Sequence, residues 1–253
     1  DVSFPFKPFF MGEQTPPSSC LTSSQKSFRT TDIDEVGDNT HLTFFEMLGN
    51  FSVGDYFKPE AISFAWEFAI EKLGLDPERI WVTVYADDDE AYDLWRRTST
   101  VPPERIYRYG KTDNWWGPPG TEGPCGPCSE VHYDLRYDRE RGCRFPTTDE
   151  LVALGNEGKV LELWNLVFMQ FDRDEVGTLH PLPAPSIDTG AGLERLAVVL
   201  QGADSNFHTD LFRPLLDRVA ERVGRAYDPR GLSAVSYRVL ADHARAVAFL
   251  VAD

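Results

Sequence analysis

Ile187-Asp188-Thr189-Gly190-Ala191-Gly192-Leu193-Glu194-Arg195 is the stretch on which the reading of this chain turns. It reads as a turn running straight into an apolar helix, Leu196-Ala197-Val198-Val199-Leu200, which Gly202 ends. Two glycines free the backbone to pass close to a ligand. Thr189 is placed to cap the helix. Arg195 then falls within the first turn or two, where a buried guanidinium can clamp a phosphate. The same nine residues also suit an ordinary capped helix with a surface arginine, so the choice depends on what the rest of the chain brings to them.

Immediately upstream, Pro181, Pro183 and Pro185 are expected to break the chain before the motif. Before them, Val160 to Phe171 is the most hydrophobic stretch, apolar on both faces and so read as a central strand. Asn165 in its middle is costly to bury unless bonded. It is either a core amide paired to backbone or a polar tip reaching a ligand, with Val167 on the same face. Residues 137–157 look charged and loop-like. Asp113 to Glu130 is dense in Gly and Pro and reads as a stiff, irregular loop, with Trp115 and Trp116 suited to the wall of a small pocket. Cys125-Gly126-Pro127-Cys128 raises zinc, but the site lacks a second pair; only Cys143 and His132 could be drafted. A redox centre should open a helix, which Pro127 opposes.

Nearer the start, Gln25 to Thr30 and His41 to Phe51 read as two strands of an antiparallel hairpin joined by an acidic loop, Asp32 to Asn39. Arg29 and Phe45 can then share a face, with Met47 two residues on. Such a pair suits a nucleotide, the guanidinium meeting phosphate and the ring stacking on a base. A core hairpin with one solvated arginine is the alternative. Residues 1–24 are expected to be irregular and packed by Phe4, Phe6, Phe9 and Phe10. Pro59 opens a helix with an apolar stripe at Ile62, Ala65, Trp66, Ala69, Ile70 and Leu73, closed by Gly74. Ile80–Ala86 and Arg105–Tyr109 read as strands. Asp87 to Glu90 could hold a divalent cation, but consecutive carboxylates fit a helix start better. Helical patterns return at 209–224 and 233–252 and suggest a second, α-helical unit from about residue 203.

The 253 residues suffice for one large domain, or one domain and part of another, and 42% hydrophobic content with six Trp and seventeen Phe can fill a core. A net charge of −16 argues against a general nucleic-acid binder while leaving room for a local basic site. No apolar run reaches membrane-spanning length and no signal peptide opens the chain, so no membrane is expected. Four cysteines fit a reducing, cytoplasmic setting better than a disulfide framework. The chain starts at Asp1 and stops at Asp253 inside an apolar helix, so both ends are expected to be cut.

Taken in order, Arg29, Thr43 to Ser52, Gly123 to Glu130, Trp164 to Phe171 and Asp188 to Arg195 resemble the catalytic domain of the alanyl-tRNA synthetase family, within the class II aminoacyl-tRNA synthetases. Arg238 to His243, followed by Ala248-Phe249-Leu250, resembles that family's helical tRNA-recognition region. The resemblance implies an α+β fold, a class II antiparallel sheet flanked by helices over residues 1–202, followed by the beginning of a helical domain over 203–253. It implies ATP-dependent activation of alanine and transfer to the 3′ end of tRNA(Ala), with ATP, Mg²⁺, alanine and the tRNA acceptor stem as cofactors and partners.

Carried over by position, Arg29 would hold the ATP α-phosphate and the alanine carboxylate. Phe45, with neighbouring Phe44 not excluded, would stack on adenine beside Met47. Arg195 would close over the adenine and reach the γ-phosphate. Asp188 would pair with the alanine ammonium, Trp116, Asn165 and Val167 would line the small pocket, and Gly190 would leave the space the substrate occupies. No metal-ligand set is assigned. A pocket sized for one methyl rejects glycine and serine only weakly, so both are expected to be activated measurably. Three features depart from the family: the region ahead of the second sequence motif is missing before Asp1, the Thr30–Asn39 loop is short and lacks a lysine, and Thr40-His41-Leu42 stands where many members have Arg-His-His. The resemblance thus leaves open a fragment that activates without efficient charging, an idle paralogue that binds alanine or ATP, and a zinc-stabilised scaffold.

Overall fold

The computed structural model describes residues 4–31, 33–117, 120–137 and 147–252. After a short 3₁₀ turn, the elements in chain order are α1 (Lys7–Phe10), β1 (Cys20–Phe28), β2 (Phe44–Val53), α2 (Lys58–Glu67), β3 (Ile80–Tyr85), α3 (Asp89–Thr98), β4 (Ile106–Tyr109), β5 (Trp115–Trp116), β6 (Gly123–Asp134), α4 (Thr148–Asn156), β7 (Val160–Arg173), β8 (Leu179–Gly192), α5 (Leu193–Gln201), α6 (Arg213–Val223) and α7 (Ala234–Ala252). The strands form one sheet in the order β1-β2-β8-β7-β6-β3-β4, with β5 paired to β6. Every pairing is antiparallel except β3 with β4. β7 lies inside the sheet, as its two apolar faces require.

The principal core lies between the sheet and α2, α3 and α5, where Ile62, Ile80, Val82, Trp95, Leu166, Phe168 and Ile187 are buried together. The helix opened by Pro59 runs on into a π-helical turn, Phe68–Lys72. The acidic run is a helix start: Asp88 accepts from Ala91 N at 3.0 Å and meets buried Lys58 Nζ at 2.7 Å. Helices α6 and α7 pack round Phe207, Phe212, Leu216, Tyr237 and Ala241, with Leu42 from the loop before β2 among them.

Several stretches are more regular than their sequence suggests. Residues 4–10 are helical, Phe6 stacks on Phe51 at 4.1 Å, and β1 begins at Cys20, five residues before the expected strand. Residues 148–156 form α4, capped by Thr147; residues 138–146, including Cys143, lie outside the described residues. The Gly/Pro-rich stretch 123–130 is the first half of β6. Its register on β7 skips Gly126 and Pro127, which stand opposite Trp116 and Trp115 of the short strand β5 instead. A Cβ on Gly126 would sit 1.9 Å from Phe168 O, so the strand closes only because that residue is glycine. In β8 both neighbouring registers skip residues 182–185, which leaves Pro183 and Pro185 off the ladders, while Pro181 stands opposite Phe171.

Candidate active site

The decisive stretch is a strand end, not a turn. β8 runs through Gly192, which itself occupies the N-cap position of α5 without a side-chain bond. Thr189 is not the cap. Its hydroxyl donates to Asn50 Oδ1 at 2.6 Å and accepts from Asn50 N at 2.9 Å, tying β8 to β2. Because β8 lies between β2 and β7, each residue of the stretch is set against a defined neighbour. Val167 faces Asp188, Asn165 faces Gly190, and Met47 faces Gly192.

These pairings surround a cavity of about 360 Å³. Arg29, Phe45, Met47, Trp116, Asn165, Val167, Asp188, Gly190 and Arg195 all line it. Arg29 follows β1 directly, its amide bonded to Thr43 O at 2.8 Å, and its guanidinium carbon lies 5.2 Å from the Phe45 ring centroid. Phe44 is buried and stacks on Phe249 of α7, so Phe45 is the ring that the cavity receives. The space over Gly190 is narrower than expected, since a Cβ there would lie 3.0 Å from Met47 Sδ.

The cavity is electrically divided. Arg195 Nη1 donates to Glu162 O at 2.9 Å and Glu162 Oε2 at 3.1 Å. Burial works to raise the Glu162 carboxyl, but Arg195, His132 and Arg29 together hold it below its ordinary value. Glu130 moves the other way: burial and the Glu162 charge raise it, against its bonds from His132 and Thr83. Glu130 Oε1 accepts from Asn165 Nδ2 at 3.2 Å, so that amide is held by a side chain and not by backbone. Asn165 Oδ1 and Asp188 Oδ2 are buried without a hydrogen-bond partner among the described residues. Burial raises Asp188 to about 8. Two orphaned acceptors on adjacent strands form a place where a bound ammonium would be satisfied on arrival.

Thr40, His41, Glu130, Glu162, Glu194 and Asn206 also line the cavity and were not picked out as site residues from the sequence. Period-two alternation puts Glu162 and Asn165 on opposite faces. A bulge at Leu163, where His132 pairs with Glu162 but Val131 with Trp164, resets the alternation so that both reach the cavity. A lone acid in so apolar a strand was the available signal. The hydrogen bond to Asp38, at 2.6 Å, raises His41 above its ordinary value, with Glu35 adding to it. Cys125 and Cys128 are buried thiols, and His132 is engaged with Glu130 at 3.1 Å. Among the described residues no group of three or more His, Cys, Asp or Glu is arranged to hold a metal ion, and no helix is long and apolar enough to cross a membrane.

A family model described as tRNA synthetases class II (A) matches residues 3–253, and the chain belongs to that family. Its curated relatives carry a more particular name. It is 48% identical over 248 residues to an alanine–tRNA ligase of Dehalococcoides mccartyi, covering 98% of this chain and 28% of that protein. It is 49% identical over 257 residues to the alanine–tRNA ligase of Rubrobacter xylanophilus and 50% identical over 254 residues to that of Acidithiobacillus ferridurans. The chain therefore spans less than a third of the length of these relatives.

Proposed function

We propose that this chain activates alanine with ATP, forming alanyl-adenylate, and that the protein to which it belongs passes the alanyl group to the 3′ end of tRNA(Ala). The observation that carries the reading is that Arg29, far upstream in sequence of Asp188 and Arg195, lines one cavity with both. Its cationic side suits a triphosphate, and its buried, orphaned carboxyl suits an amino acid's ammonium.

In this reading adenine stacks on Phe45 beside Met47. Arg29 holds the α-phosphate and the alanine carboxylate together, and Arg195 exchanges part of its contact with Glu162 for the γ-phosphate. Asp188 and Asn165 Oδ1 take the ammonium, while Trp116 and Val167 close round the methyl. The carboxylate oxygen attacks the α-phosphorus, the bond to the β-phosphate oxygen breaks, and pyrophosphate leaves. Positioning and charge neutralisation supply the rate, because the protein itself makes no covalent bond. Magnesium is usually held by one or two carboxylates plus substrate phosphates. Glu162, kept ionised by its basic neighbours, fits that need, and magnesium held there would supply neutralisation of the phosphate charge. Residues 203–252 would begin the helical tRNA-reading unit, and a cytoplasmic setting goes with the substrate.

Alanine-dependent ATP–pyrophosphate exchange tests the assignment. Wild type is expected to exchange and Arg195→Ala to lose at least about a hundredfold in kcat/KM. Absence of exchange in the wild type would refute it. Because the relatives are so much longer, the activation half-reaction is the part we assign to this chain's own residues; transfer to tRNA is proposed for the whole protein.

A further inference from the structure

Residues 37–44 lead from the acidic loop into β2, and the C-terminal part of the chain grips them almost residue by residue. Arg238 Nη1 donates to Gly37 O and Asp38 O at 3.1 and 3.2 Å. Asn206 donates from its backbone to Asn39 O at 3.0 Å and from Nδ2 to Thr40 O at 2.8 Å. Asp242, fully buried on α7, accepts from both Thr43 N, at 3.0 Å, and the Thr43 hydroxyl. One turn further on, Arg245 Nη1 donates to Phe44 O at 3.0 Å.

Arg245 also joins this strand to the opposite wall. Its Nη2 lies 2.8 Å from Glu194 Oε1, and both side chains are buried. Glu194 in turn accepts from Glu46 N at 3.1 and 3.2 Å. The residue after Glu194 is Arg195, and those flanking Glu46 are Phe45 and Met47. A buried ion pair adds little net stability, because desolvation offsets the attraction. Here the pair sits at a joint between β2 and α5, which face the nucleotide side of the cavity, and fixed geometry is the gain.

We propose that Asp242 and Arg245 are positioning residues for alanine activation: through Thr43, Phe44 and Glu194 they lock β2 and α5 in register, so that Phe45 and Arg195 close on one nucleotide. The helical segment thus braces the activation site as well as starting a tRNA-reading unit. This rests on the assignment of the Arg29–Phe45 side to ATP. Trp116, Asn165, Val167 and Asp188 are carried by β5, β7 and β8, so the clamp should act on ATP and spare alanine.

The test uses the whole chain with Asp242→Asn, Arg245→Gln and Arg245→Lys, and with Leu216→Ala as a control that weakens the α6–α7 core without removing a hydrogen bond of the clamp. Pyrophosphate exchange is expected to show the KM for ATP raised about tenfold by the clamp variants, with the KM for alanine within about twofold of wild type. Arg245→Lys should recover only part of the loss, since an ammonium cannot span Glu194 and Phe44 O together. Leu216→Ala should lower Tm without moving either KM. An unchanged KM for ATP, or equal rises for both substrates that Leu216→Ala reproduces, would overturn the proposal. If Arg245→Gln does not fold, the other two clamp variants decide. Amide hydrogen exchange supplies a readout independent of activity: protection should fall at residues 43–46 and 194–195 while β7 keeps its own. Uniform loss would refute the clamp. A wild type without exchange activity would refute the functional assignment instead, leaving the amide result to judge the clamp.

Discussion

Asp188 places a carboxyl where water does not reach, and its pKa near 8 has two measurable consequences. Folding favours the neutral acid, so the stability it lends is full below the ordinary carboxylate pKa of 3.8 and is lost as pH rises toward about 8. Asp188→Asn keeps the shape without the charge. It should raise Tm above wild type by a margin that grows from pH 5 to pH 8, about 2–4 °C for each kcal/mol recovered, while abolishing alanine-dependent exchange. Thermal melts across that range, paired with exchange assays, read both effects; equal melting of the two proteins at pH 8 would contradict this account. In the wild type the KM for alanine should fall as pH rises toward 8, because only the ionised carboxyl pairs with ammonium. The methyl pocket makes a separate statement. Discrimination against glycine rests on about one methylene, so kcat/KM for alanine should exceed that for glycine by roughly 10–200-fold, with serine rejected to a similar degree. A preference in the thousands would show that the pocket reads more than size.

At the scale of elements, the most sensitive joint is the crossing of β6 over β7. Gly126→Ala would drive a methyl into Phe168 O, where the facing atoms are backbone and cannot rotate away. It should cost about 3 kcal/mol or more, seen as a lowered denaturant midpoint, with Gly110→Ala, at an uncrowded glycine without a positive φ, as the comparison. The same crossing explains where sequence reading succeeded and where it failed. β3 and β7 were legible from unbroken apolar, β-branched and aromatic content, and α2 and α7 from helical periodicity, because both patterns reflect burial directly. The beginning of β6 and the middle of β8 were not, because Gly and Pro ordinarily end strands. Here β7 skips Gly126 and Pro127 while β5 takes them up, and both neighbours of β8 skip Pro183 and Pro185, a tertiary fact that local chemistry does not carry. The site divides likewise. Arg29, Phe45 and Arg195 stood out through residue type and setting, Asp188 only through the family resemblance, and all four line one cavity. Glu162 was hidden by a bulge that shifts its side chain from one face to the other, and Glu194 looked like an ordinary first-turn acid until Arg245 was seen against it.

The molecule as a whole carries a net charge of −16 while presenting a cationic side to its cavity. A triphosphate can be held there, but an extended polyanion meets repulsion over most of the surface. The chain on its own should therefore exchange pyrophosphate at a rate unaffected by added tRNA and alanylate tRNA slowly, with charging recovered in a full-length relative. Rapid alanylation by this chain alone would mean that its surface offers a basic track that net charge conceals. The order of strands has a further consequence for synthesis. Glu46 in β2 meets Glu194 across 148 residues of chain. At ribosomal rates that interval is on the order of ten seconds. The β1–β2 hairpin thus emerges with one flank already paired and the other a bare ladder of amides and carbonyls, waiting for β8. Nascent chains stalled between these two strands are the ones that should stick to each other.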